Sequence, residues 1–144
     1  MNKRRLIIQQ QQRDHWVRPW LKRRNNLGCF HTLFQELRLE DREEFRRFIR
    51  MDTNTFYLLA DLIRPHIQRQ NTQMREAISV EERLCCTLRY LATGDSFTSL
   101  SYHFRLSKSI ISKMVPEICE ILFQTMKSKF MQIPRSDCYN FLYF

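Results

Sequence analysis

Apolar positions in the first half of the chain recur with a helical period. From Leu27 to Leu39 they fall at Phe30, Leu33, Phe34 and Leu37, the spacing that turns one face of a helix toward a core. The next run, EDREEFRRFIRM, puts Phe45, Phe48 and Ile49 on an inner face. Asp41 stands where an N-cap is needed and Glu44 follows three residues on, a capping box with Asp in place of Ser or Thr. Its outer face interleaves Glu43 and Glu44 with Arg46, Arg47 and Arg50, which reads as solvated i,i+3 and i,i+4 pairing. A third helix is expected after Asp52, with Phe56, Leu59, Leu62 and Ile63 as its stripe and Pro65 ending or kinking it. Residues 69–78 are polar and aperiodic, a linker between two helical groups. Ser79 and Glu82 then form a second capping box, with Leu84, Leu88 and Leu91 on one face and Gly94 placed to stop the helix in the left-handed conformation. No useful strand-like alternation and no solenoid repeat appears, so the pattern predicts an all-α chain.

The stretch SFTSLSYHFRLSKSIISKMV, residues 96–115, holds two short amphipathic runs around a break. Ser96 can cap the first run, whose Leu100 and Phe104 lie four apart and face the same way. Ser101 between them is small enough for another helix to cross closely. Arg105 and Leu106 make the turn, with Leu106 directed inward, and Arg105 stands where glycine is often found. Ser107 can cap the second run, whose Ile111, Met114 and Val115 face the same core. Pro116 is expected to end that helix after about two and a half turns. Three helices so arranged predict a helix-turn-helix, in which the helix from Ser107 enters a DNA groove. The candidate DNA-contacting residues are Arg105, Ser107, Lys108, Ser109, Ser112 and Lys113. A helix N-terminus suits phosphate, lysine can meet guanine edges or phosphate, and serine can bond either kind of base edge. Two amphipathic helices joined by a short turn also occur in bundles that never touch DNA.

Charge strengthens the nucleic-acid reading. The 144-residue chain has a formal net charge of +9, which favours polyanionic partners. The excess gathers at the N-terminus, where Lys3, Arg4, Arg5, Arg13, Arg18, Lys22, Arg23 and Arg24 face one acid, Asp14. Residues 1–26, with four consecutive glutamines, read as a basic and largely disordered arm. Trp16 and Trp20 flank Arg18 and Pro19 in it, and docking on the body suits them better than stacking on bases. The clusters Lys3-Arg4-Arg5 and Lys22-Arg23-Arg24 fit nuclear import signals as well as they fit a solvated arm. The apolar run Leu6-Ile7-Ile8 is too short for a signal peptide and no membrane span follows, so the nucleus, with the cytoplasm as a further compartment, is expected. Five cysteines, an odd number with no CxxC pair, read as reduced core filler. The histidines lack zinc-ligand spacing, and no cofactor is expected.

The segments WVRPWLKRR, LFQELRLEDREEFRRFIRMDTNTF, TQMREAISVEERLCCTLRYLATGDSFTSL and FRLSKSIISKMVPEIC resemble the N-terminal region of PIF/Harbinger transposases and the nuclease-like proteins derived from them. The resemblance spans about residues 16–134. It implies that residues 79–134 are the helix-turn-helix DNA-binding region, after an N-terminal helical group at 27–68. It also implies a following catalytic domain of ribonuclease-H-like fold, with three acidic residues binding divalent metal. A Myb/SANT-like partner protein is a further implication. The chain departs from the family pattern after Pro134, ending RSDCYNFLYF, so residues 135–144 are an aberrant aromatic tail and no catalytic residue carries over. The expectation is an all-α helical bundle with a C-terminal helix-turn-helix and a disordered basic arm. It would bind double-stranded DNA without cutting it, as the truncated form of such a protein. The alternatives are a fragment that binds a full-length transposase or the Myb/SANT-like partner, or an incomplete gene model of a nuclease.

Overall fold

The computed structural model describes residues 17–70 and 76–130. Trp16, residues 71–75 of the linker and the aromatic tail lie outside the described residues. Within them the regular structure is wholly helical: α1 (Pro19–Lys22), α2 (Arg24–Leu27), α3 (Leu33–Glu40), α4 (Arg42–Ile49), α5 (Thr53–Ile67), α6 (Val80–Thr93), α7 (Phe97–Phe104) and α8 (Lys108–Phe130). Side-chain caps set most of the starts. Asp41 accepts from the amides of Glu43 and Glu44 at 3.0 Å, Asp52 from Thr55 at 2.9 Å, and Ser79 from Glu82 at 3.1 Å. Each such cap contributes about 1 kcal/mol by satisfying an amide that the helix itself leaves unpaired. Gly94 ends α6 at φ 68°, where a side chain would be strained.

The apolar faces meet in one core. Phe34, Phe45 and Phe56 are fully buried, and the Phe34 ring lies 5.1 Å from each of the other two. Ala60, Ile63 and Ile67 of α5 join Leu84, Cys85 and Leu88 of α6 and Ile111, Met114, Val115 and Ile118 of α8. The two helical groups on either side of the linker therefore share this core. Arg89 of α6 seals one seam by donating to the Phe48 carbonyl at 3.0 Å while its guanidinium lies 4.5 Å from the Phe48 ring.

Several sequence expectations change. The run Leu27–Leu39 is not one helix, because the chain breaks between α2 and α3. At Gly28 a Cβ would stand 2.6 Å from the Arg24 carbonyl oxygen and 3.2 Å from that of Phe104, so the backbone turns where only glycine fits. Cys29 N–H then donates to the His103 carbonyl at 2.8 Å. Leu33 and Leu91, expected on inner faces, are exposed. Residues 17–26, expected as part of a disordered arm, form α1 and α2 and carry the buried Arg24. Pro65 stands inside α5, and Pro116 does not end α8, which continues to Phe130. Pro116 removes one ladder bond, but Ile118 and Leu122 beyond it are buried. Their burial, at about 1.5–3 kcal/mol for each fully buried side chain, offsets that loss.

Charges also enter the interior. Arg83, 4% exposed, donates to the Ile67 carbonyl at 2.9 Å and to Glu117 at 2.7 Å. Glu82 does not complete its capping box. Its carboxylate stands 3.7 Å from Arg24 and 3.7 Å from His31. Burial pushes the Glu82 carboxyl up to about 7, against the pull of Arg24. The thiols are displaced in the same way: burial raises Cys29 to about 11 and Cys86 to about 12, and it raises Cys85 as well. They remain protonated and act as apolar filler. No disulfide forms among the described residues.

Candidate nucleic-acid interface

α7 starts at Ser96, whose Oγ accepts from the Ser99 amide at 3.1 Å. Leu100 and Phe104 are fully buried, so this two-turn helix is held by one apolar edge. Its end is closed by a side chain: Ser101 Oγ donates to the Leu106 carbonyl at 2.5 Å. Arg105 takes the left-handed conformation at φ 51° and ψ 41°, unusual for a residue with a side chain and costly by about 1 kcal/mol or more. That geometry turns the chain sharply enough for Leu106, fully buried, to plug the core. Ser107 then starts α8. Its carbonyl accepts from the amides of Ile110 and Ile111 at 2.9 and 3.1 Å, and its hydroxyl stands 3.2 Å from that of Ser109.

The first two turns of α8 divide cleanly. Ile111, Met114 and Val115 are buried, whereas Lys108, Ser109, Ser112 and Lys113 are exposed. Ser112 donates to the Ser109 carbonyl at 3.2 Å, within its own helix. Neither Lys108 nor Lys113 has an ion-pair or hydrogen-bond partner among the described residues, so two ammonium groups are presented to solvent along one helical face. The first-turn amides add the positive end of the helix dipole to that face.

Arg105, expected as a phosphate contact, has its guanidinium engaged within the chain. Its Nε donates to the Leu27 carbonyl at 3.1 Å and one terminal nitrogen to the Trp20 carbonyl at 3.0 Å. The Trp20 ring lies 5.8 Å from Tyr102 of α7. The guanidinium thus fastens the N-terminal helices to the α7–α8 turn. Residues that far apart in sequence leave no local signal, and only the docking expected of the tryptophans pointed toward this contact.

A further group escaped the sequence reading. A groove of about 410 Å³ runs beside α8, lined by Arg69, Ile78, Arg83, Ser109, Lys113 and Glu117 among others. Glu117 is shared between Arg69 at 3.1 Å and Arg83 at 2.7 Å, which holds residues just after α5 against α8. Arg46 and Arg47 on α4 and Arg50 at its C-cap stay exposed as expected, and Arg47 pairs with Glu44 at 2.6 Å. Among the described residues, no group of three or more His, Cys, Asp or Glu side chains stands close enough to hold a metal ion. No helix there is long and apolar enough to cross a membrane.

The family described as a domain of unknown function, DUF8040, matches residues 28–124. The chain belongs to that family. The match runs from Gly28 through both helical groups into α8, the same span that shares one core. Neither the curated proteins nor the solved structures compared with the chain gave a match.

Proposed function

We propose that the chain is a double-stranded DNA-binding module of the helix-turn-helix type. α6 supports, α7 lies across the phosphate backbone, and the first turns of α8 enter the major groove. The observation that carries this reading is the division of α8: Lys108, Ser109, Ser112 and Lys113 exposed, with Ile111, Met114 and Val115 of the same turns buried. A helix in an ordinary bundle also has an outer face. Here, however, that face carries lysines without acidic partners among the described residues, at the end of the helix where the dipole is positive. Ser107 belongs to the cap of this helix, and Arg105 acts through the position it gives the turn.

By its resemblance, the module is the DNA-binding portion of a PIF/Harbinger-type, transposase-derived protein acting in the nucleus. On this reading it binds DNA without cutting it, and the divalent-metal chemistry belongs to the family's catalytic domain. A mobility-shift titration of Lys108→Glu/Lys113→Glu tests the assignment. The double variant should lose at least tenfold in affinity while keeping its helical circular-dichroism spectrum. Full retention of affinity would remove α8 from the interface.

A second reading has its own support. Leu39 and Leu58 are 75% and 72% exposed on α3 and α5, as apolar contacts for a protein partner would be. A full-length transposase or a Myb/SANT-like protein would fit there. Pull-down of such a partner after DNA digestion, lost in Leu39→Lys/Leu58→Lys, would support it.

A further inference from the structure

The described basic residues before Gly28 divide in two. Arg24 turns inward, donating to the Ala77 carbonyl at 3.4 Å and lying 3.7 Å from the buried Glu82. Arg18, Lys22 and Arg23 are exposed, and none of them has an ion-pair partner among the described residues. This segment is tied to the body at several points. Arg105 holds the Trp20 and Leu27 carbonyls, Trp20 packs on Tyr102, and Asn25 donates to Glu76 at 2.5 Å. Gly28 lies against the Phe104 carbonyl and Cys29 donates to that of His103. All of these ties except that of Asn25 to Glu76 end on the last turn of α7 or on Arg105, which follows it.

We propose that Arg18, Lys22 and Arg23 form a second DNA-contact element, neutralising backbone phosphates beside the groove that α8 enters, with Arg105 as its positioning residue. The proposal rests on the DNA-binding reading and extends it to a surface that α8 does not supply. In helix-turn-helix docking the helix before the recognition helix crosses the phosphate backbone. A basic segment bound to the end of that helix is carried to the same backbone. Cations held there act on phosphate, which fixes register and adds affinity equally on all sequences. A segment already ordered in the free protein also loses less conformational entropy on binding than a flexible tail of equal charge. The left-handed conformation of Arg105 acquires a purpose on this account. Glycine would fit the turn with less strain but could not reach Trp20 and Leu27.

The test uses the full chain and a labelled 30-base-pair duplex of random sequence, with affinity measured across a salt series. Arg18→Gln/Lys22→Gln/Arg23→Gln should make the slope of log K against log salt shallower by roughly 2 to 3, at about 0.9 per phosphate contact. Arg105→Gly keeps the backbone geometry allowed and cuts the tie. In that background the same triple substitution should lose at least half of its effect on the slope, which a merely stabilising arginine would not cause. A triple variant with the wild-type slope, or an effect unchanged by Arg105→Gly, overturns the proposal. Lys108→Gln/Lys113→Gln, run alongside, separates the two claims. If it weakens binding while the triple variant keeps the wild-type slope, only the arm contact fails. If the wild-type chain does not bind the duplex, the DNA-binding reading fails with it.

Discussion

Ser101 and Leu106 are joined across the α7–α8 turn by a hydrogen bond of 2.5 Å from a buried hydroxyl to a backbone carbonyl. The bond spans five residues and fixes how the second helix leaves the first. Ser101→Ala removes the donor and strands the carbonyl in a buried place. It should lower stability by about 1–2 kcal/mol. Ser112→Ala, on the exposed face of α8, should stay within about 0.5 kcal/mol. Urea midpoints of the two variants check the contrast, and equal effects would deny the Ser101 bond its role in the turn.

Pro116 is exposed inside a 23-residue helix. Replacing it with alanine restores a backbone donor and removes the ring's clash with the preceding turn. Part of the gain is cancelled because the unfolded chain becomes freer. Pro116→Ala should therefore raise stability by about 1–2 kcal/mol. A lowered melting temperature would mean that the proline ring makes contacts worth more than the missing bond.

Glu82 predicts a pH dependence with a definite sign. Burial raises its carboxyl from an ordinary value of 4.5 to about 7 in the folded chain. Between those values the folded state binds more protons than the unfolded state, so stability falls as pH rises through the window. The neighbouring His31 is shifted down, first by burial and then by Arg24. It acts in the opposite sense, losing stability as pH falls through the usual histidine range. Glu82→Gln isolates the carboxylate. Relative to the wild type it should gain stability from pH 5 to pH 8, by an amount on the order of 3 kcal/mol. A constant difference across that range would show that Glu82 keeps an ordinary titration.

Local signals carried the fold far. Asp41, Asp52, Ser79 and Ser96 each act within three residues of themselves, and Gly94 needs only its own backbone, so these boundaries could be read from the sequence. Buried Ile111, Met114 and Val115 followed from helical spacing alone, and that spacing implied the exposed lysine face. Pro116 misled because tertiary burial of Ile118 and Leu122 outweighs a local penalty. Gly28 broke an apparently continuous helix through contact with Phe104, seventy-six positions later in the sequence. Arg105 is the clearest case. The sequence marked it as an unusual turn residue, but its partners Trp20 and Leu27 are remote, and a staple cannot be told from a phosphate contact without them. Glu82 likewise read as the capping-box partner of Ser79, and nothing local marked Arg83 beside it as buried. Their burial depends on Arg24, His31 and Glu117, which come from three other parts of the chain.

The open face of α8 is the claim on which the functional account turns. The most direct measurement is the salt dependence of duplex affinity for the wild type and for Lys108→Gln/Lys113→Gln. If both ammonium groups meet phosphate, the variant's slope should be shallower by about 2, with an unchanged helical spectrum. A slope equal to that of the wild type would contradict the account, because the exposed lysines of α8 would then take no part in binding.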